Sequence, residues 1–286
     1  MMTIGELYFG YGSNLNEDDW NSSGDFLPWK EALQIYNQAY LLDHIPVYHY
    51  FSKGRGGGAL DVRPLKGGTV NGMLFRPTVE GWKNVEKKEG SPNYYFPKKI
   101  IVQTITGELL EAITYMVVEH RKEAEFIQPS KKYQKIVHEG MRNLELNPSG
   151  QNGAAVNDES ISMCNNVFVY GTLKQGFSRE NSMVEGRNGS PSLGKIRGIL
   201  MDLGPFPGLV QGDNEVIGEL HSFTKIKPVL DRLDEIEGFY GYGKSFNLFE
   251  RILCNVETDN GKMLAWTYRW IGSDGIPIES GEWCKR

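Results

Sequence analysis

Two glutamates stand where helical periodicity places them on an apolar face. Glu237 follows Ile226 by eleven residues and Glu89 follows Trp82 by seven, so each returns to the apolar side of its helix. The stripe before the first glutamate consists of Trp82 and Val85. The stripe before the second consists of Ile226, Val229, Leu230 and Leu233. Desolvation raises the pKa of such a carboxylate toward the range in which it both accepts and donates protons, which is the profile of a general acid/base.

A structural role for these glutamates is the alternative. Each can end its helix early and turn to solvent, or pair with a nearby cation such as Lys83 or Arg232. The same arrangement occurring twice favours the functional interpretation.

Each glutamate has a Tyr-Gly turn upstream of it, in YGSN (residues 11–14) and in YGTL (residues 170–173). Glycine lets backbone N–H groups approach a ligand closely and point together, which forms an anion-binding concavity. Ser13 and Thr172 add hydroxyl donors. Alone, such a turn is typical of an ordinary strand end; paired twice with a glutamate, it indicates a site.

These pairs belong to a long internal repeat. ELYFGYGSN (6–14) recurs as NVFVYGTLKQG (166–176), and KKEG (87–90) recurs as DEIEG (234–238) in the same order. The 286 residues are enough for two domains. We expect a first domain at 1–146 and a second at 164–286, joined by a small, polar, turn-prone linker at 147–163.

Both copies are mainly β by pattern, with few helices. Hairpin turns are expected near Gly107 and at residues 259–261. A helix is expected within residues 129–146, packed on the first domain. The predicted strands are 70–75, 99–105, 112–118, 216–223, 246–256 and 263–270.

Bulk properties exclude several classes. A net charge of −5 without long runs argues against nucleic acid as a partner, and no apolar stretch is long enough to span a bilayer. The start lacks a secretion signal, so a cytoplasmic location is the default expectation. Three scattered cysteines and five histidines show no disulfide or metal-site spacing, no GxSxG elbow is present, and SKGRGGGAL (52–60) is interpreted as a turn or pocket rim.

The motifs resemble those of the gamma-glutamylcyclotransferases and gamma-glutamylamine cyclotransferases over nearly the whole chain. The first copy is similar to the former type, and the second to the latter. The first copy shows the resemblance in YFGYGSN (8–14), GGGALDV (56–62), VNGMLF (70–75), KKEG and PSKKYQKI (129–136). The second shows it in VYGTLKQG (169–176), DLGPFPGLV (202–210), VIGELHSF (216–223), LDEIEG (233–238), AWTYRW (265–270) and IESGEW (278–283).

The resemblance implies an α+β fold of two tandem domains, each a small mixed β barrel with flanking helices. It implies a transferase of the aminoacyl-transferring acyltransferase type that closes a small-molecule γ-glutamyl amine or peptide to 5-oxoproline, without cofactor or metal. The implied catalytic acid/bases are Glu89 and Glu237. The implied substrate-binding residues are Tyr11, Gly12, Ser13, Asn14, Tyr95, Tyr133, Tyr170, Gly171, Thr172 and Leu173.

Three questions stay open at this point. One or both copies can be non-catalytic γ-glutamyl binding or sensing modules, or the first copy can mainly scaffold the second. The oligomeric state is not indicated. The segments 22–40 and 239–251 depart from the family pattern, and the second of them is expected to shape the pocket.

Overall fold

The structure is a computed structural model, and it describes residues 5–284. The chain divides into two compact units, with the boundary between Met163 and Cys164. Within the described residues no helix is long and apolar enough to cross a membrane.

The first unit is a closed barrel of five strands in the order β1-β3-β2-β4-β5. Tyr8 on β1 lies opposite Ile113 on β5 in a parallel pair that closes the ring, and the other neighbouring strands are antiparallel. The barrel is therefore mixed. Its strands are β1 (Tyr8–Gly10), β2 (Leu33–Ser52), β3 (Gly57–Pro77), β4 (Tyr95–Thr104) and β5 (Leu109–Val117).

Five helices flank this barrel. The helix expected within residues 129–146 is observed as α4, which is capped by the Ser130 side chain and buries Tyr133, Val137 and Met141. Short 3-10 helices lie at Ser13–Leu15, Glu119–Arg121 and Glu159–Ser162. The α-helices are α1 (Glu17–Asn21), α2 (Trp29–Ala32), α3 (Val79–Glu89), α4 (Lys131–Asn143) and α5 (Ser149–Ala154).

The segment 147–163, expected to be a linker, carries structure and lies in the first unit. It contains α5 and the 3-10 helix at Glu159–Ser162. Gln151 is buried, and its Nε2 donates to the Asn71 carbonyl at 2.9 Å and to the Tyr11 carbonyl at 3.3 Å. Arg63 forms an ion pair with Glu159 at 2.6 Å. Small residues let this short segment pack closely, so polar contacts replace the apolar content that the sequence lacks.

The second unit repeats the first strand for strand. β7-β8-β6-β10-β9 follows the same ring order, with β6 parallel to β10 and with Lys195 opposite Glu257 closing β7 onto β9. A short 3-10 helix lies at Glu180–Met183, and β11 pairs with the outer edge of β7. The elements are β6 (Asn166–Val169), β7 (Ser192–Asp202), β8 (Pro207–Ser222), α6 (Ile226–Glu237), β9 (Phe249–Thr258), β10 (Gly261–Trp270) and β11 (Ile276–Pro277).

The expected architecture of two tandem mixed barrels is confirmed. Each Tyr-Gly turn follows the first strand of its ring, and each glutamate ends the helix that follows the third strand of its unit. A glycine lets these parts approach each other. A Cβ on Gly72 would lie 2.4 Å from the Gly10 carbonyl oxygen, and one on Gly218 would lie 2.4 Å from the Val169 carbonyl oxygen.

Candidate functional site

Each unit contains one cavity in which its Tyr-Gly turn meets its helix-ending glutamate. The cavity of the first unit is about 470 Å³, and that of the second is about 110 Å³. The first is lined by all the residues expected there: Tyr11, Gly12, Ser13, Asn14, Glu89, Tyr95 and Tyr133. The second is lined by Tyr170, Gly171, Thr172, Leu173 and Glu237.

A left-handed glycine places each carboxylate. Gly90 has φ +59° and Gly238 has φ +63°, a conformation that only glycine adopts easily, and each ends its helix directly after the glutamate. The Gly90 N–H then donates back to the carbonyls of Glu86 and Lys87. The chain turns away at this point, and the glutamate side chain remains at the helix end, facing the cavity.

Glu89 is held by two side chains. Asn14 Nδ2 donates to Glu89 Oε1 at 2.7 Å and to the Tyr8 hydroxyl oxygen at 2.8 Å, and the Tyr8 hydroxyl lies 3.5 Å from the same carboxylate oxygen. Asn14 is 3% exposed, so the Tyr-Gly turn itself fixes the direction of the carboxylate. Tyr8 was missed by the sequence reasoning, although it lies in the quoted motif YFGYGSN.

Glu237 has a different environment. Leu173 stands where the first turn has Asn14, and Val167 stands where the first strand has Tyr8, so both donors are replaced by apolar side chains. Within residues 5–284 no hydrogen bond or ion pair reaches the Glu237 carboxylate. The second cavity therefore surrounds its carboxylate with less polar support than the first.

The pKa of both glutamates is raised to about 7, chiefly because burial removes the carboxylates from water. For Glu89, the charges of Lys88 and Arg55 and the bond from Asn14 lower the pKa in part; for Glu237, only Arg179 does so. Both carboxylates also stand at helix C-termini, where the helix dipole disfavours negative charge.

The two cations considered as structural partners of the glutamates, Lys83 and Arg232, are engaged elsewhere. Lys83 pairs with Glu80 at 2.8 Å. Arg232 donates to the Ser182 carbonyl at 2.9 Å and pairs with Glu185 at 3.1 Å. Neither glutamate ends its helix early or forms the ion pair that the structural alternative requires.

In each unit the tyrosine hydroxyl of the Tyr-Gly turn donates a hydrogen bond to the last strand of its own barrel. The Tyr11 hydroxyl donates to the Tyr115 carbonyl at 2.6 Å, and the Tyr170 hydroxyl donates to the Tyr268 carbonyl at 2.7 Å. These bonds tie the turn to the last strand of each barrel. The tyrosines therefore line the cavities through their rings, with their hydroxyls already committed.

The other expected tyrosines of the first unit form a wall. The Tyr95 hydroxyl donates to the Leu60 carbonyl at 2.8 Å, and the Tyr133 hydroxyl accepts from the Leu60 N–H at 3.5 Å. The Arg55 guanidinium lies over the Tyr133 ring, with its central carbon 4.9 Å from the centroid. One β3 residue thus positions both rings.

The sequence did not predict that charged side chains such as Arg55 and Lys88 line the first cavity. Arg55 lies in the β2–β3 turn within SKGRGGGAL, which lines the cavity as the pocket rim predicted for this run. Its guanidinium donates to both Asp19 carboxylate oxygens, at 2.6 and 2.8 Å, and to Ser13 Oγ at 3.1 Å. Lys88 Nζ pairs with the same Asp19 at 2.9 Å. Asp19 thereby neutralises part of the positive charge next to Glu89.

Within residues 5–284 no group of three or more His, Cys, Asp or Glu side chains is placed to hold a metal ion. All three cysteines are free thiols.

The raised pKa of Glu237 leads to a prediction about stability. The unfolded carboxyl ionises near its ordinary value of 4.5 and the folded one near 7, so folding loses stability as pH rises from about 4.5 to 7. Glu237→Gln is always neutral and removes this loss. We expect it to raise the free energy of unfolding by about 1–3 kcal/mol at pH 8, with no gain at pH 4.5.

Thermal or urea unfolding at the two pH values measures this effect. Glu235→Gln, at an exposed position of the same helix, is the matched control and should change little at either pH. A Glu237→Gln variant that is equally or less stable than the parent at pH 8 would contradict a desolvated carboxylate at this position.

The two barrels, each with a desolvated carboxylate facing a glycine turn, define the class as tandem-barrel proteins with a cavity at the Tyr-Gly turn of each barrel. Comparison with family models matches residues 167–285 to "Gamma-glutamyl cyclotransferase, AIG2-like" and residues 69–147 to "AIG2-like family". A curated relative, the Gamma-L-glutamyl-butirosin B gamma-glutamyl cyclotransferase of Niallia circulans, is 36% identical over 119 residues, which are 41% of this chain and 74% of the relative. The chain therefore belongs to the gamma-glutamyl cyclotransferase, AIG2-like family.

Solved structures give weaker likenesses. A chain described as gamma-glutamyl cyclotransferase is 21% identical with a TM-score of 0.44, covering 52% of this chain and 85% of that one. YkqA from Bacillus subtilis is 13% identical with a TM-score of 0.37, covering 94% of this chain and 85% of that one.

Proposed function

We propose that each cavity catalyses the conversion of a γ-glutamyl amine or peptide to 5-oxoproline and a free amine. One observation carries this proposal: in each cavity the only carboxylate of the lining is a glutamate with a pKa of about 7, opposite a Tyr-Gly turn. The name of the Niallia circulans relative supports the γ-glutamyl group as the part of the substrate that is recognised.

The reaction needs no nucleophile from the protein. The substrate's α-amino group attacks its own γ-carbonyl carbon, a C–N bond closes the five-membered ring, and the bond from that carbon to the leaving nitrogen breaks. Two protons leave the α-ammonium, and both end on the departing amine, so charge and atoms balance. This is transfer of an acyl group within one molecule.

We assign proton transfer to Glu89 in the first cavity and Glu237 in the second. As a carboxylate, the glutamate takes a proton from the α-ammonium; as an acid, it delivers one to the leaving nitrogen. A group whose pKa lies near neutral pH serves both steps, because each protonation state is then well populated.

The remaining task is to hold the substrate in its folded conformation. Nucleophile and electrophile belong to one molecule, and correct orientation can supply up to about 7–11 kcal/mol of a barrier. We assign this role to the Tyr-Gly turns at 11–14 and 170–173, aided in the first cavity by the Tyr95 and Tyr133 wall. The difference in cavity volume, about 470 against 110 Å³, favours a bulkier substrate in the first cavity.

A substrate panel tests the proposed function. The full-length protein is incubated with γ-glutamyl amino acids, γ-glutamylamines and glutathione, and 5-oxoproline and the released amine are quantified by mass spectrometry. We expect equal amounts of both products, with and without a chelator, because no step requires a metal. Binding of these compounds without release of 5-oxoproline would favour the alternative of a γ-glutamyl binding or sensing module. The cytoplasmic location stays a prediction.

A further inference from the structure

The lining of the second cavity contains one acidic and one basic residue. Among the residues that line it, Glu237 is the only acid and Arg179 is the only base. Within residues 5–284 no hydrogen bond or ion pair engages the Arg179 side chain. Arg179 is therefore an exposed residue with an unpaired cationic side chain in the lining of a small cavity whose other side chains are mostly apolar.

The backbone fixes Arg179 beside the Tyr-Gly turn. Its N–H donates to the Thr172 carbonyl at 2.9 Å, and the residue caps the 3-10 helix at Glu180–Met183. The positive charge of Arg179 lowers the pKa of Glu237 and so offsets part of the increase that burial causes. The Tyr-Gly turn, the Arg179 guanidinium and the Glu237 carboxylate therefore belong to the same site.

Two cations near the Tyr-Gly turns, Lys174 and Arg55, donate to protein partners. Lys174 is 6% exposed and donates to the Trp283 carbonyl at 2.8 Å. In the first cavity Arg55 is clamped by Asp19 through both carboxylate oxygens. The free guanidinium of Arg179 is available to a ligand without first breaking such a bond.

We propose that Arg179 binds the α-carboxylate of the γ-glutamyl group in the second cavity, an inference that rests on the proposed function. The α-carbon carries an ammonium and a carboxylate side by side. With the ammonium directed to Glu237, the carboxylate faces the only cation of the lining. A guanidinium presents a planar fork of N–H groups that matches both carboxylate oxygens, and the charge-assisted bonds are stronger than neutral ones.

The test uses two substrates that differ only in this carboxylate. One is a γ-glutamyl amide, and the other is the 4-aminobutanoyl amide of the same amine, which cyclises to pyrrolidin-2-one and releases the same amine. Both are assayed in a Glu89→Gln background, so that only the second cavity turns over. Arg179→Gln should lower kcat/KM for the γ-glutamyl amide about 10- to 100-fold. For the 4-aminobutanoyl amide the loss should be much smaller, because there Arg179 acts only through the pKa of Glu237.

Two further variants separate the effect of the charge of Arg179 from that of its planar N–H groups and control for the substitution itself. Arg179→Lys keeps the charge but loses the fork, and it should fall between the parent and Arg179→Gln. Arg197→Gln, at an exposed position on β7 outside the cavity lining, is the matched control and should behave as the parent with both substrates. Equal losses with both substrates would show that Arg179 acts through Glu237 or through the fold and not on the α-carboxylate, and would overturn the proposal, as would no loss with either.

Calorimetry with 5-oxoproline tests the same contact without turnover. In the Glu89→Gln protein, Arg179→Gln should weaken binding of 5-oxoproline at the second cavity by a factor similar to that seen in kinetics. Unchanged affinity and stoichiometry would overturn the role of Arg179 even if the chain proved to form no 5-oxoproline. Failure of the proposed function, in contrast, would show as absence of amine release by the parent protein itself.

Discussion

Replacing both Glu89 and Glu237 by glutamine is expected to reduce the release of 5-oxoproline by about 10²- to 10⁴-fold, the usual contribution of general acid–base catalysis. Glutamine keeps the shape of the side chain but carries no proton to exchange. Orientation by the Tyr-Gly turns remains, so binding of the γ-glutamyl group should persist while kcat falls. The measurement is kcat and KM for 5-oxoproline release, with binding checked by calorimetry.

The single variants separate the cavities. If both are catalytic, Glu89→Gln and Glu237→Gln each remove one component of activity, with different substrate preferences because the cavities differ in volume. If the first unit only scaffolds the second, Glu237→Gln alone abolishes turnover. Glu86→Gln and Glu235→Gln, at exposed positions on the same helices, are the controls. A double variant as active as the parent would reject proton transfer by either carboxylate.

The part of the site that the sequence could predict is the part that periodicity and repetition encode. An acid in phase with Val85 or Leu233 must lie on the buried side of its helix, and the glycine after it supplies the left-handed residue that ends the helix. The recurrence of the Tyr-Gly turn and the glutamate in the same order indicated that the two belong to one site in each copy. Repetition predicted two mainly β domains, and the mixed-barrel fold was implied by the family resemblance.

Contacts between distant residues were not predictable. The bond from Asn14 to Glu89 spans 75 residues and that from Arg55 to Asp19 spans 36, and neither pair has a spacing that marks it as a partner. The ends of the strands were not predictable either. The strand expected at 70–75 is the last part of the 21-residue strand β3. The pairing of β3 with β2 is interrupted by register shifts. Tertiary pairing, not local propensity, sets such lengths.

The two units reach a similar pKa for their glutamates by different means. Burial raises the pKa of both carboxylates. For Glu89, hydrogen-bond donors and nearby cations offset part of this increase, whereas for Glu237 only the charge of Arg179 does so. The second carboxylate therefore depends more on how rigidly its helix is held. That helix is anchored one turn before Glu237, where the buried Asp234 faces two partners.

This anchor links α6 to β9 and β10. The Tyr268 hydroxyl donates to Asp234 Oδ1 at 2.7 Å, and Arg251 Nη1 lies 3.2 Å from Asp234 Oδ2. Arg251 is 1% exposed. Its guanidinium also lies over three aromatic rings, with centroid distances of 5.0 Å to Trp266, 5.1 Å to Phe239 and 6.0 Å to Tyr242. The segment 239–251, which departs from the family pattern, thereby supplies a cation and two of its rings to the support of the site.

Arg251→Met is expected to destabilise the second unit by about 3–5 kcal/mol, because it leaves the Asp234 carboxylate buried without its cation. Combining it with Asp234→Asn, which still accepts from Tyr268, should cost less than the sum of the two single changes. Hydrogen exchange of peptides from 249–270 reports on this unit directly, and peptides of the first barrel serve as the internal reference. Lys227→Met, which breaks the exposed pair with Asp231 on the same helix, should cost less than about 1 kcal/mol. Exchange in 249–270 that is no faster in Arg251→Met than in Lys227→Met would show that this buried pair does not hold the helix that carries Glu237.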